Sequence, residues 1–92
     1  MKYIRLYWIH DRRDMPVWLV SELDDEKWET RKVEIWRGGA KGYADRQTSY
    51  GSTGLAQVPL PPFDEIKALP GFEFEEISRA EFEQEWTARK SP

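Results

Sequence analysis

Residues 16–46 read PVWLVSELDDEKWETRKVEIWRGGAKGYADR, and the spacing of apolar and turn-forming residues in this stretch decides the fold. Pro16 opens the run PVWLVSEL at a position where a strand tolerates proline. Leu23–Lys27 is a polar turn. In the next run, Trp28, Thr30, Lys32, Glu34 and Trp36 alternate with Glu29, Arg31, Val33, Ile35 and Arg37, the period of two that a pleated strand imposes. Val33 and Ile35 are expected to face the core. Gly38 and Gly39 allow a tight turn, so Lys41–Arg46 is expected to return as an edge strand. Upstream, residues 2–10 (KYIRLYWIH) are rich in β-branched and aromatic types, with Ile4, Leu6 and Trp8 on one parity and Tyr3, Tyr7 and Ile9 on the other. That pattern predicts a central strand, joined to the second by the polar turn His10–Met15. The sum is an N-terminal antiparallel meander of four strands.

Downstream the signals change. Gln47–Gln57 (QTSYGSTGLAQ) lacks periodicity and reads as a surface loop. Pro62 suits the first turn of a short helix, FDEIKAL, with Asp64 and Glu65 near its positive end and Pro70–Gly71 as the stop. Phe72–Ile77 alternates Phe with Glu and is expected to add a further edge strand. Ser78 and Glu81 form a capping box, with Ile77 and Phe82 at the staple positions, so a helix starts at Ser78 or Arg79. Phe82 and Trp86 should pack that helix on the sheet, with Glu81, Glu83, Gln84 and Glu85 toward water. Ser91 and Pro92 are expected to fray. The fold class is therefore α+β: the meander packed by two short C-terminal helices, in a single domain spanning 1–92.

Ninety-two residues suit one core, since a chain of this size hides roughly two-thirds of its unfolded surface. Hydrophobic residues make up 39% and charged residues 34%, but five Trp, four Tyr and four Phe supply apolar area that a disordered chain lacks. Without cysteine there is no disulfide, zinc-thiolate site or thiol nucleophile, which fits a reducing cytoplasm. Arg5 interrupts the apolar stretch Tyr3–Ile9, so no secretory leader or membrane span is expected. Net charge is −3, and residues 59–92 hold eight Asp/Glu against four Lys/Arg. That balance disfavours general nucleic-acid binding and favours a basic protein partner.

No motif carries recognisable chemistry, so no catalytic residue, metal ligand or cofactor is assigned. His10, the one histidine, has Asp11 and Asp14 beside it but no motif partner, and reads first as part of a polar turn. Asp24, Asp25 and Glu26 lack the alternating ligands and glycine of a calcium loop. Tyr50–Gly54 (YGSTG) lacks the lysine of a phosphate-binding loop. The more informative feature is the aromatic surplus. Two short helices are not expected to bury Tyr3, Tyr7, Trp18, Trp28 and Trp36 together, so a second sheet face interleaved with Arg5, Lys32 and Glu34 is a candidate recognition surface. Arg5, Tyr7, Trp18, Trp28 and Trp36 are its candidate contact residues.

The segments MKYIRLYWIHD, SELDDEKWETRKVEIWRGG, KGYAD, VPLPPFDEI and ISRAEFEQEW, taken in order, resemble a family of short stand-alone bacterial proteins classed as a domain of unknown function. The most specific part is the SELD turn followed by Trp28, Arg31, Lys32, Val33 and Glu34, the glycine turn, and Gly42, Tyr43 and Ala44. The resemblance implies a bacterial origin and brings no activity with it. The preferred expectation is a non-catalytic protein-binding module, immunity-like or accessory, with a homodimer as one form of partner. An alternative is a ligand binder or enzyme using His10, Asp11, Asp14 and Tyr50–Gly54. A second alternative is single-stranded nucleic-acid binding through sheet aromatics with Arg5, Arg31 and Arg37.

Overall fold

The N-terminal half pairs hairpin by hairpin, as its period of two requires. In the computed structural model, which describes residues 1–90, β1 (Lys2–Trp8), β2 (Trp18–Leu23), β3 (Glu29–Ile35) and β4 (Lys41–Asp45) are successive antiparallel neighbours. The expectation for Ser91 and Pro92 lies outside the described residues. Two more strands widen the sheet. β5 (Ser49–Tyr50) pairs with β4, and β6 (Phe72–Glu76) pairs antiparallel with β1, giving the order β5-β4-β3-β2-β1-β6. The meander of four is thus corrected to a sheet of six. The alternation of Phe72–Ile77 anticipates β6. β5 lies inside the stretch read as loop, because two residues are too few to show a period. It forms because the Asp45 carboxylate accepts hydrogen bonds from the Gln47 and Thr48 amides at 2.9 and 2.7 Å and turns the chain back.

The helices are α1 (Phe63–Lys67), with Pro62 at its N-cap, and α2 (Arg79–Thr87), followed by a 3-10 turn over Ala88–Lys90. The capping box forms as its spacing predicts: the Glu81 amide donates to Ser78 Oγ and the Ser78 amide donates to Glu81 Oε1, each at 3.1 Å. The helices cover opposite faces of the sheet. α2 seats fully buried Phe82 against Tyr3, Val20, Val33 and Ile77, with Ile35, Tyr43 and Trp86 around them. On the other face α1 sets Phe63 against Phe74, ring centroids 5.1 Å apart, and Ile66 is buried. Phe74 lies opposite Leu6, so this face carries Ile4, Leu6 and Trp8.

One irregularity rearranges the polar residues. Between the pairs Glu22–Arg31 and Leu23–Glu29 the register shifts, leaving Thr30 as the extra residue of a β-bulge. Glu29 is thereby turned onto the same face as Lys32 and Glu34. There the Thr53 hydroxyl donates to Glu34 Oε1 and the Ala56 amide donates to Glu29 Oε1, both at 2.7 Å. Ser21 Oγ donates to Glu29 Oε2 at 3.1 Å, and Lys32 Nζ lies 3.4 Å from Glu29 and 3.7 Å from Glu34. The loop after β5 is thus tied down over buried charge that it helps to satisfy. Gly42 makes this possible, since a Cβ there would sit 2.2 Å from Thr53 Oγ1.

Candidate functional site

β1, β2 and β6 place three of the five candidate contact residues on one face. Tyr7 lies opposite Trp18 across the β1–β2 ladder, and their ring centroids are 4.7 Å apart. Arg5 sits two residues earlier on the same side, its guanidinium 5.9 Å from the Trp18 ring. Opposite Arg5 and Tyr7 on β6 stand Glu75 and Glu73. Arg5 donates to Glu75 Oε1 from Nη2 at 2.6 Å and from Nε at 3.1 Å, and lies 3.8 Å from Glu81. Arg5, Tyr7, Trp18, Glu73, Phe74 and Glu75 line a cleft of about 270 Å³. α2 covers the Tyr3 end of this face and leaves the Tyr7–Trp18 end open, with Trp18 37% exposed.

The other two candidates are elsewhere. Trp28 is exposed in the β2–β3 turn, and Trp36 follows the opposite end of β3, its amide donating to the Ala40 carbonyl at 2.8 Å. Tyr3 is core rather than surface. Lys32 and Glu34 belong to the opposite face, under the loop. The five therefore do not form one aromatic face, and the acidic partners Glu73 and Glu75 take the places of Trp28 and Trp36. Their signal in the sequence was the alternation of β6, which could be placed beside β1 only by the topology.

β6 adds a second feature. The Ile9 amide donates to the Gly71 carbonyl and the Ile77 amide to the Tyr3 carbonyl, at 2.8 and 2.9 Å. Antiparallel alternation then turns the backbone N–H and C=O groups of Phe72, Phe74 and Glu76 away from β1, to the outer edge of the sheet.

The remaining polar groups organise structure. His10 Nδ1 accepts from the Arg12 amide at 3.0 Å, which leaves Nε2 to donate to the Pro16 carbonyl at 2.8 Å, and the ring packs on Trp8. Both nitrogens are committed to the turn. Asp14 pairs with Arg12, whose hydrogen bonds draw its carboxyl below the usual range, while Asp11 is exposed and Arg37 caps the His10 carbonyl. Thr53, in the Tyr50–Gly54 segment, is committed to Glu34. His10 and Tyr50–Gly54 share no hydrogen bond among the described residues. Asp24 organises its own turn, accepting the Glu26 and Trp28 amides. Among the described residues no three His, Asp or Glu side chains are grouped to hold a metal, and no helix is long and apolar enough to cross a membrane.

Arg31 is held hardest. It makes two hydrogen bonds to Glu22, at 2.9 and 2.6 Å, and two to Glu83, at 3.1 and 2.7 Å, while lying over the Phe82 and Trp86 rings. These bonds bring the Glu22 carboxyl down to about 2 and raise Arg31 still further above its ordinary value. Glu83, expected to face water, is instead drawn in to Arg31. Arg31 is thereby not available beside Arg5 as part of one basic stripe, and Arg37 is bonded to the His10 carbonyl.

No curated protein and no solved structure matches the chain. The family model described as Domain of unknown function (DUF6881) matches residues 2–91, and the chain belongs to that family.

Proposed function

We propose that the protein is a non-catalytic protein-binding module, immunity-like or accessory and bacterial, acting in the cytoplasm. Its contact surface is the open end of the α2-covered face, and its partner is basic. The observation that carries this reading is exposed Trp18 packed on half-buried Tyr7 with Arg5, set beside an edge strand bearing Glu73, Glu75 and Glu76. Aromatic side chains and arginine provide the large contact area typical of binding hot spots, and the carboxylates favour cationic side chains around it. The outward backbone groups of β6 would let an extended segment of the partner pair with the sheet. Self-pairing of β6 in a homodimer is disfavoured, because it brings glutamates of two copies together.

Affinity capture from a bacterial lysate tests this with wild type, Trp18→Ala and Trp28→Ala, each checked for native circular dichroism. A stoichiometric protein retained by wild type and Trp28→Ala but lost by Trp18→Ala is expected. Recovery of the same protein by folded Trp18→Ala refutes the surface assigned here.

A further inference from the structure

At the opposite lateral edge of the sheet, β4 and β5 meet the end of α2. Tyr50 is the cross-strand partner of Tyr43, and their rings stack with centroids 5.2 Å apart and 11° between planes. The turn after α2 brings Arg89 over the same corner, its guanidinium 4.0 Å from the Trp86 ring centre and 5.1 Å from that of Tyr43. Gly39, Ala40, Lys41, Tyr43, Tyr50, Arg89 and Lys90 surround a cavity of about 590 Å³. That is within the range of roughly 300–1,000 Å³ that holds small ligands.

The charge of this cavity is one-sided. Among the described residues Lys41, Arg89 and Lys90 line it and no carboxylate does. Lys41 Nζ donates to the Ala88 carbonyl at 3.1 Å and Arg89 Nη1 to the Trp86 carbonyl at 2.6 Å, while Arg89 Nε is buried without an acceptor. Neutral carbonyls and ring faces hold these cations in place without cancelling them, and none of the three forms an ion pair among the described residues. Asp45 senses the Arg89 charge, but its carboxylate is engaged by the Gln47 and Thr48 amides. Three cations lining one cavity suit a multiply charged oxyanion. Tyr50, 58% exposed, offers a ring face beside them.

We infer that this cavity binds a nucleoside phosphate, with the phosphate toward Lys41, Arg89 and Lys90 and the base stacked on Tyr50. The ligand is either a free nucleotide or the end of a single strand, which present the same chemistry. The site is separate from the Tyr7–Trp18 surface and does not depend on it.

The test is a two-dimensional amide NMR titration of the full chain with AMP, adenosine, inorganic phosphate and a short 5′-phosphorylated oligoadenylate. Saturable shifts with AMP at Gly39–Tyr43 and Tyr50 are expected, with phosphate weaker and adenosine weaker still. Lys41→Gln and Lys90→Gln should each weaken AMP roughly tenfold or more, by loss of a charge-assisted contact. Arg89→Gln should do the same, and the lysine variants decide the matter if it fails to fold. Tyr50→Ala should bring AMP down to the level of phosphate. Tighter binding of the oligonucleotide than of AMP assigns a strand end as the source, and equal or weaker binding assigns the free nucleotide. Absence of saturable shifts with all four ligands overturns the site, as do shifts retained in the folded lysine variants. AMP binding no better than phosphate overturns the role given to Tyr50.

Discussion

Glu22→Gln should flatten the acid side of the protein's stability curve. The Arg31 hydrogen bonds, joined by that from Thr30, hold the Glu22 carboxyl at about 2 against its ordinary 4.5, despite the opposing effect of burial. A gap of about 2.5 units corresponds to on the order of 3 kcal/mol. The sign follows from the direction of the shift. The folded state binds this proton less readily than the unfolded state, so the contribution is complete above about pH 4.5 and is lost as pH falls toward about 2. The side chain is only 8% exposed, so solvent screens the interaction little. Glu83 is also lowered, by Arg31, but is more exposed and adds less. Urea unfolding followed by tryptophan fluorescence, at about pH 7 and about pH 3, measures the effect. Wild type should lose on the order of 2 kcal/mol more than Glu22→Gln between those conditions, because at about pH 3 the folded-state carboxyl is still mostly ionised and the other carboxylates titrate in both proteins. Parallel losses in the two proteins would refute the assignment of Glu22 as the main acid-sensitive group.

Other perturbations read the fold itself. Ser78→Ala removes the acceptor for the Glu81 amide and should cost about 1 kcal/mol, visible as a lower urea midpoint with an unchanged slope. Phe82→Ala empties the centre of the cluster beneath α2 and should cost about 3–5 kcal/mol in the same assay. Gly42→Ala drives a Cβ into Thr53 Oγ1 and to 3.1 Å from the Tyr50 carbonyl; a loss of about 1–3 kcal/mol, with faster amide exchange at residues 50–56, is expected. Lys32→Met leaves the Glu29 and Glu34 carboxylates without their shared cation, and chemical denaturation should register a loss of about 3–5 kcal/mol.

What could be read in advance depended on how local the cause was. The alternation in residues 28–37 and the glycine turn are properties of neighbouring residues, and β3 and β4 form where those properties put them. The same holds for α2, whose capping box and Phe82–Trp86 spacing need no distant partner. β6 was legible as an extended segment, but its place beside β1 was not, and that placement brings Glu73 and Glu75 to Tyr7 and Arg5. The bulge at Thr30 was invisible, since an extra residue in a ladder has no signature in composition. It moves Glu29 to the face of Lys32 and Glu34, which explains why those side chains serve the loop instead of a recognition surface. Trp28 and Trp36 share a parity, yet each lies just beyond an end of β3, where strand alternation no longer fixes direction. Helices on opposite faces were equally hidden, because amphipathic pattern shows that a helix has an apolar side and not which sheet face receives it.

Site-specific photo-crosslinking is the most direct test of the proposed contact surface. A benzophenone amino acid replaces Trp18 in one variant and Trp28 in another, with both variants irradiated in bacterial lysate after their folds are verified. The account predicts one dominant adduct from position 18, with its crosslinked partner peptide rich in lysine or arginine, and none from position 28. The same adduct from both positions, or an adduct from position 28 alone, would contradict it.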